Sequence, residues 1–528
     1  MAQNQISVGH TNWMGGTSYL QSNPVSRLRM AAASCFFGEP SYYHDGAVAP
    51  AGVRRYAPDI NHEHLNEMLA SVASPDWAGL STAALLECAI DEALAFDPEA
   101  TLKLAAELRN DALIRTTPQV MLVRAAHHPR VRGSSLVRKY AQEVIKRADE
   151  PATQLAYHNY AYGKSTPIPN ALKKAWRSYL AGAGEYAVAK YRNGTAPVKL
   201  VDVVNVCRPS SPVIDKLMKG ALTLDEQTWE SLISAKGASK ASWALALEKF
   251  LLNPKGHMAL LRNLRNLHEH GLLDGKVLEA LKAGAKEGKQ LPFRYYAAYQ
   301  QLKGAGVPAT ALAAVEECLT LSLGNLPKFE GRVMSLADNS GSAQSAATSS
   351  MGSMRVSTIG NLSAVLTGMV ADEGFIGVFG DSLKCLPVAK DKSVFQQLDR
   401  AEREALHIGA STENGVWLFF DEAIKNKAHW DHIFVYSDMQ AGHGGLYGKA
   451  PDKYKDFIYP DSGHYIDVAR LIRTYREKVN PDVMVYLVQV AGYLDTLAPE
   501  YYDKTYILGG WGPGILQFAD AMCRMNEA

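Results

Sequence analysis

From about residue 60 to residue 325, apolar positions recur at three- and four-residue spacing, broken by Gly and Pro. That rhythm predicts amphipathic helices, each burying one stripe. In SSLVRKYAQEVIKRAD (134–149), Leu136, Val137, Tyr140, Ala141, Val144 and Ile145 form the stripe, and Ser134 or Ser135 stands where a cap would. NALKKAWRSYLAGAG (170–184) repeats the arrangement, with Asn170 as candidate N-cap and Gly182 or Gly184 as the stop. In HMALLRNLRNLHEHG (257–271), Leu260, Leu261, Leu264 and Leu267 make the apolar face, opposite Arg262, Arg265, Asn266 and Glu269. No strand pattern interrupts this half. A helical run of this length predicts helix pairs stacked in a solenoid or ring, although no fixed repeat period shows.

From about residue 330 the rhythm changes to short apolar runs alternating with amphipathic stretches. Strands are predicted at 332–337, 375–380, 432–437, 483–490 and 505–510, and helices near 357–371, 391–406, 414–427, 464–478 and 514–525. Such alternation predicts a mostly parallel sheet covered on both faces. The change falls at GNLPKFEG (324–331), so the chain divides into an all-helical module over 1–328 and an α/β domain over 329–528.

Bulk composition changes this picture little. Apolar residues make up 47% and charged residues 21% of 528, ordinary values for a globular protein. The six cysteines, among them Cys207 and Cys318, form no CxxC pair, which argues against a zinc site or disulfide framework and for a reducing compartment. The start, MAQNQISVGHTNWMGG, has no basic and apolar leader, and no apolar run approaches the roughly 20 residues of a membrane span. A soluble, cytoplasmic, monomeric protein without a membrane partner is the expectation.

Charge alters the picture more. The net charge of +1 conceals a block between residues 124 and 220 with 17 Lys and Arg against 6 Asp and Glu, a local +11. A basic block in a neutral chain is the footprint of a polyanion site, weighed against the commoner case of a solvated helix face. The candidate nucleic-acid contacts are Arg130, Arg132, Arg138, Lys139, Lys146, Lys173, Lys174, Arg177 and Arg192, with Arg262 and Arg265 further on. Tyr and Trp are interleaved with them, which suits base stacking beside phosphate contact.

At the end of the first predicted strand stands LADNSGSAQSAATSS (336–350). It reads as a serine-rich linker or as a metal loop. In open α/β sheets, ligands sit beyond the carboxyl ends of the strands, where Asp338, Ser340 and Ser342 alternate along a turn. A carboxylate with hydroxyls is a hard-oxygen set for a divalent ion, Mg²⁺ first, with Ca²⁺ or Mn²⁺ as alternatives. GASTENG (409–415) offers Thr412 and FVYSDMQ (434–440) offers Asp438 as further ligands.

These positions resemble the Asp-x-Ser-x-Ser, Thr, Asp pattern of the von Willebrand factor A domain and its metal-ion-dependent adhesion site, where the ion takes an acidic group of a partner. MALLRNLRNL (258–267), LPFRYYAAYQ (291–300) and RMAAASCFFGEPSYY (29–43) in turn resemble segments of the Ro autoantigen family, the TROVE-domain proteins, and bacterial Ro-related proteins most strongly. The resemblance implies a HEAT-like ring with a basic central hole, followed by a doubly wound A domain. It implies small noncoding Y-like RNA bound on the outer surface and single-stranded 3′ ends of misfolded or precursor RNA in the hole. It also implies work with exoribonucleases such as polynucleotide phosphorylase in RNA maturation and decay under stress. Lys173, Lys174 and Arg177 match the family's Y-RNA-contacting helix. In LVDVVNVCRP (200–209), Arg208 stands where the family carries a histidine implicated in RNA contact.

No catalytic constellation emerges. HEH (268–270) places two histidines on different faces, AHHPR (126–130) reads as a loop, and DEAIKNKAHWD (421–431) lacks a nucleophile. GHGGLYG (442–448) and GGWGPG (509–514) fit neither a P-loop nor a dinucleotide fingerprint. An RNA-binding scaffold without enzymatic activity is therefore expected. The rivals are a protein–protein adaptor, which has no use for the basic block, and a metal-dependent RNA hydrolase, for which Asp338 and Asp438 supply few carboxylates.

Overall fold

The computed structural model describes residues 8–11, 17–20, 23–33, 82–112, 114–192, 196–222, 229, 232–233, 237–252, 256–288, 290, 292–344, 346–349, 352–409, 415–437, 456–458, 467–490, 504–509 and 514–527. A short antiparallel hairpin, β1 (Val8–Thr11) and β2 (Thr17–Leu20), comes first, pairing Val8 with Leu20 and Thr11 with Thr17. The N-terminal module is therefore not wholly helical. These two four-residue runs, VGHT and TSYL, are too short to show a period of two.

The helices that follow are α1 (Pro24–Ala33), α2 (Thr82–Phe96), α3 (Pro98–Asn110), α4 (Thr116–His127), α5 (Leu136–Val144), α6 (Glu150–Tyr162), α7 (Asn170–Ala181), α8 (Glu185–Lys190), α9 (Leu200–Cys207) and α10 (Pro212–Met218). Then come α11 (Lys240–Leu252), α12 (His257–Glu269), α13 (Gly275–Glu287), α14 (Pro292–Gly304) and α15 (Ala309–Ser322). The predicted stripe of α5 is buried at Val137, Tyr140, Ala141, Val144 and Ile145, with Leu136 at its edge. Caps sit where the chemistry favours them: Asp97 accepts from Ala100 N (2.9 Å) ahead of Pro98, and Asp274 accepts from Val277 N (2.9 Å). At α7 the expected cap is displaced. Asn170 is the first helical residue, Pro169 holds the cap position, and no side chain caps the helix; Gly182 does close it.

Packing follows a two-row rule. α3 packs on α5 and α5 on α7, while α2 packs on α4 and α4 on α6. Stacked alternate helices are how a helical solenoid buries a continuous core. Between the rows runs a buried polar relay. Trp176 Nε1 donates to Gln154 Oε1 (2.7 Å), Gln154 Nε2 donates to Gln119 Oε1 (2.7 Å), and Gln119 Nε2 donates to the Val144 carbonyl (3.3 Å). It ties α7, α6, α4 and α5 together at one point, with every amide group used.

The second domain contains β3 (Phe329–Asp338), the hairpin β4 (Ala346–Ser349) and β5 (Gly352–Arg355), and α16 (Val356–Val370). It continues with β6 (Ala371–Phe379), β7 (Leu383–Pro387), α17 (Val394–Ala405), α18 (Gly415–Lys425), β8 (His432–Ser437), α19 (Val468–Lys478), β9 (Met484–Gln489), β10 (Thr505–Gly509) and α20 (Gly514–Glu527). The sheet order is β10-β9-β8-β3-β6-β7. All neighbours are parallel except β6 and β7, which pair antiparallel with Ile376 opposite Leu386. The five predicted strands are all present. The sheet is mostly parallel, as expected; β7, which was not predicted, is its antiparallel edge, because the three residues between Phe379 and Leu383 leave room only for a hairpin turn, not a crossover helix.

Gly374 in β6 shows how closely the layers meet. A Cβ placed there would lie 2.1 Å from the Gly368 carbonyl oxygen of α16. Gly374→Ala is expected to lower stability by roughly 2–4 kcal/mol, since rigid backbone must move apart. A denaturant midpoint equal to that of the parent would refute this.

The two ends of the helical module both rest on the sheet domain. At one end, the Tyr299 ring of α14 lies tilted against Phe395 of α17 (ring centroids 4.2 Å) and Ser393 donates to Glu316 of α15. At the other, α1 contacts β10, and Ala31, Leu85 and Leu86 belong to the same apolar core as α11–α15 and the sheet. The other buried apolar residues described between Leu28 and Leu222 form a core of their own. No helix among the described residues is long and apolar enough to cross a membrane.

Candidate functional site

The sheet reverses direction of growth between β3 and β8, the first strand and the fourth. Such a switch point opens a crevice at the carboxyl ends of its strands. Asp338 closes β3 there and Ser437 closes β8, and Ser437 Oγ donates to Asp338 Oδ2 (2.6 Å) across the crevice. Asp338 Oδ1 accepts from the Ser340 backbone N (2.9 Å), and both Asp338 and Ser340 are buried. The turn beneath is held by amides. Asn339 and Asn361 of α16 exchange two hydrogen bonds of 2.8 Å, and Gln344 Nε2 donates to the Asn339 carbonyl (3.1 Å). A serine-rich linker would not be pinned in this way.

Ser342 begins a single 3-10 turn, Ser342–Gln344, directly after. Thr412 and Asp438, the other expected ligands, lie outside the described residues, as does GHGGLYG. Sequence reading missed Ser437, Asn361 and Gln344; only its place beside Asp438 could have flagged Ser437. A carboxylate and hydroxyls at the carboxyl edge are the donors a hard divalent ion takes. Among the described residues no group of three His, Cys, Asp or Glu side chains converges, so a carboxylate-rich nuclease centre has no counterpart there. Beside the loop opens a cleft of about 750 Å³ lined by Asn339, Gln344, Arg355, Asn361, Asp399 and Glu402, among others. Burial raises the Glu402 carboxyl.

A second cleft, of about 860 Å³, lies in the helical module between the α4–α5 turn and the start of α7. Arg132, Arg138, Lys173 and Lys174 line it with Ser134, Ser135 and Asn170. Two segments of the basic block, 40 residues apart in sequence, are thereby brought to one wall by the packing of α5 on α7. None of the four cations makes an ion pair among the described residues. The uncapped N-terminus of α7 adds its backbone N–H groups and the positive end of its dipole. Positive charge left unpaired beside a helix N-terminus suits a phosphate group.

The cleft has an aromatic wall. AHHPR is not a loop at its first histidine: His127 ends α4 and reaches into the cleft. Its ring stacks on Tyr162 (centroids 3.8 Å) and its Nε2 lies 3.0 Å from His158 Nδ1. His158 Nε2 in turn lies 3.1 Å from the Thr166 carbonyl. Burial, then His158, Arg132 and Arg124 push the His127 ring down to about 4, and burial lowers His158 as well.

The other basic candidates are placed differently. Arg130 donates to the Phe96 carbonyl (3.0 Å) at the end of α2, Arg177 Nε to the Cys207 carbonyl (2.6 Å) and Arg192 to the Leu222 carbonyl (3.2 Å). Each thereby joins two elements, with charge left over for solvent. Lys139 pairs with Glu99 (2.7 Å), and Lys146 lies exposed with Nζ 3.4 Å from the Gln142 carbonyl. Arg208 caps α9 in the left-handed region (φ 49°) and is exposed. Arg262 is exposed on α12, and Arg265 pairs with Glu269 (3.2 Å) one turn on. Arg294 of α14, which sequence reading did not single out, has its guanidinium lowered by burial and by neighbouring Arg262. Arg124, the first cation of the block, is spent internally on Asp91 and Tyr157 (2.8 Å each).

A stacked helical module is thus followed by a doubly wound sheet with an Asp-x-Ser-x-Ser loop at its switch point. Among solved structures, the crystal structure of the RO (RSR) protein of Deinococcus radiodurans matches 94% of this chain and 99% of that one. The TM-score is 0.61 at 15% sequence identity, a likeness of fold that bears out the Ro-type architecture expected from the sequence. No protein-family model matches the chain, and no curated protein matches it in sequence.

Proposed function

We propose that this protein is a Ro-family RNA-binding scaffold rather than an enzyme. Its ligands are a small structured noncoding RNA of the Y type, bound at the outer basic surface, and misfolded or precursor RNAs with single-stranded 3′ ends, held by the ring. Its working partner is an exoribonuclease of the polynucleotide phosphorylase kind. The observation that carries this reading is the cleft of Arg132, Arg138, Lys173 and Lys174, whose charge no acidic side chain of the described residues neutralises. A protein adaptor has no need of it. The deciding experiment is RNA binding over a salt series, comparing a hairpin with a single-stranded 3′ tail and the same hairpin made blunt. Tighter, steeply salt-dependent binding of the tailed RNA is expected. Equal, weak binding of both would favour the adaptor.

The A domain serves a separate task in this reading. Asp338, Ser340 and Ser342, with Thr412 and Asp438, would hold Mg²⁺ or a similar ion, which supplies a Lewis-acidic position for a partner's carboxylate. The residues' own part is to fix that position: the Ser340 N–H and Ser437 hydroxyl orient the Asp338 carboxylate, and the Asn339–Asn361 pair fixes the turn. Asp338→Asn is expected to abolish the thermal stabilisation that millimolar Mg²⁺ gives the parent, while RNA affinity stays within about twofold. Calorimetry and anisotropy check the two halves of this statement, and a collapse of RNA affinity would contradict the division of labour.

A further inference from the structure

The tautomers of the histidine pair follow from the acceptor at its end. The Thr166 carbonyl can only accept, so His158 Nε2 carries the proton and donates over 3.1 Å. His158 Nδ1 is then a lone pair, and His127 Nε2 must donate to it over 3.0 Å. That leaves His127 Nδ1 unprotonated on a ring that lines the basic cleft. Protonation there is opposed by burial and by Arg132, so the ring stays an acceptor at neutral pH. Beside its cations, hydroxyls and amide, the cleft thus contains one ring nitrogen that can only accept.

Phosphate has no use for such an acceptor. A nucleotide does, because its ribose and base carry donors within a few ångströms of the phosphate. Resting on the reading of this cleft as an RNA site, we propose that His127 reads a hydrogen-bond donor of the bound nucleotide. Its Nδ1 accepts from a ribose 2′-hydroxyl or a base N–H while Arg132, Arg138, Lys173 and Lys174 hold the adjoining phosphate. The cations supply affinity and His127 supplies selectivity.

The test uses the full chain and two oligonucleotides of one sequence, RNA and DNA, each titrated at several salt concentrations. His127→Phe keeps a ring against Tyr162 and removes the acceptor. About a tenfold loss for RNA alone, with an unchanged salt slope, assigns the donor to the 2′-hydroxyl. An equal loss for RNA and DNA with unchanged slope assigns it to the base. Unaltered affinity for both, or a loss accompanied by a flatter slope, overturns the proposal. His127→Asn, whose amide oxygen can stand near the Nδ1 position, should recover part of the loss. Should His127→Phe not fold, the ¹⁵N shift of His127 Nδ1 in the parent decides: it moves on RNA addition, and a static shift refutes the contact. If Lys173→Ala/Lys174→Ala weakens binding while His127→Phe does not, this inference fails alone. If the parent binds no RNA, the reading of the cleft fails with it.

Discussion

Alanine at Arg132, Arg138, Lys173 and Lys174 together is expected to lower affinity for a structured RNA by roughly two to three orders of magnitude near physiological salt, and to flatten the salt dependence by about three to four units of slope. The size follows from counterion release: each phosphate contact contributes close to one unit on a duplex and somewhat less on a single strand. The fold should survive, because the four side chains make no ion pair among the described residues and Arg132, Arg138 and Lys174 are exposed. Their mutual repulsion is relieved by the change. Fluorescence anisotropy from low to high salt measures both quantities. A quadruple variant with the parent's slope would move the RNA surface elsewhere, to Arg262 and Arg294 or to the exposed Arg208.

Trp176→Ala should be the most destabilising single change in the helical module, by about 4–6 kcal/mol. Emptying the site of a fully buried indole costs roughly 3–5 kcal/mol, and the orphaned Gln154 adds about 1 more. Trp176→Phe separates the two terms. It refills most of the volume but leaves Gln154 Oε1 without its donor, so a loss of about 1–3 kcal/mol is expected. Urea midpoints give both values. A neutral Trp176→Phe would mean the relay from Gln119 to Trp176 contributes nothing. Because Trp176 anchors α7, the alanine variant should also weaken RNA binding through Lys173 and Lys174 on the same helix.

Much of this architecture was legible because apolar periodicity reports which face of an element is buried. The stripe of α5, the leucines of α12 and the five strands all stood where the pattern put them. What periodicity does not report is the partner. Gln119 and Gln154 look like surface residues in sequence, yet they are fully buried because they satisfy each other across 35 positions. Asn339 and Asn361 are the same case at the switch point. His127 looked like part of a loop because Pro129 follows it, but the helix runs to its last permitted residue before that proline's influence. The Asp338 loop was readable from spacing alone because its geometry is local; the cleft was not, because its two walls meet only through the packing of α5 on α7.

The seating of both ends of the helical module on one domain has a consequence of topology rather than of strength. A hoop fastened by its own clasp can be entered by a strand in two ways only: by a free end passing through, or by the clasp letting go. Tyr299 against Phe395 on one side and α1 against β10 on the other are the fastenings. On the proposed reading of the module as an RNA-holding ring, a circular RNA and a linear one of identical sequence would meet the outer cleft alike and the interior differently. Selection for RNA ends need not be recognised by any side chain; it can be imposed by the connectedness of the chain.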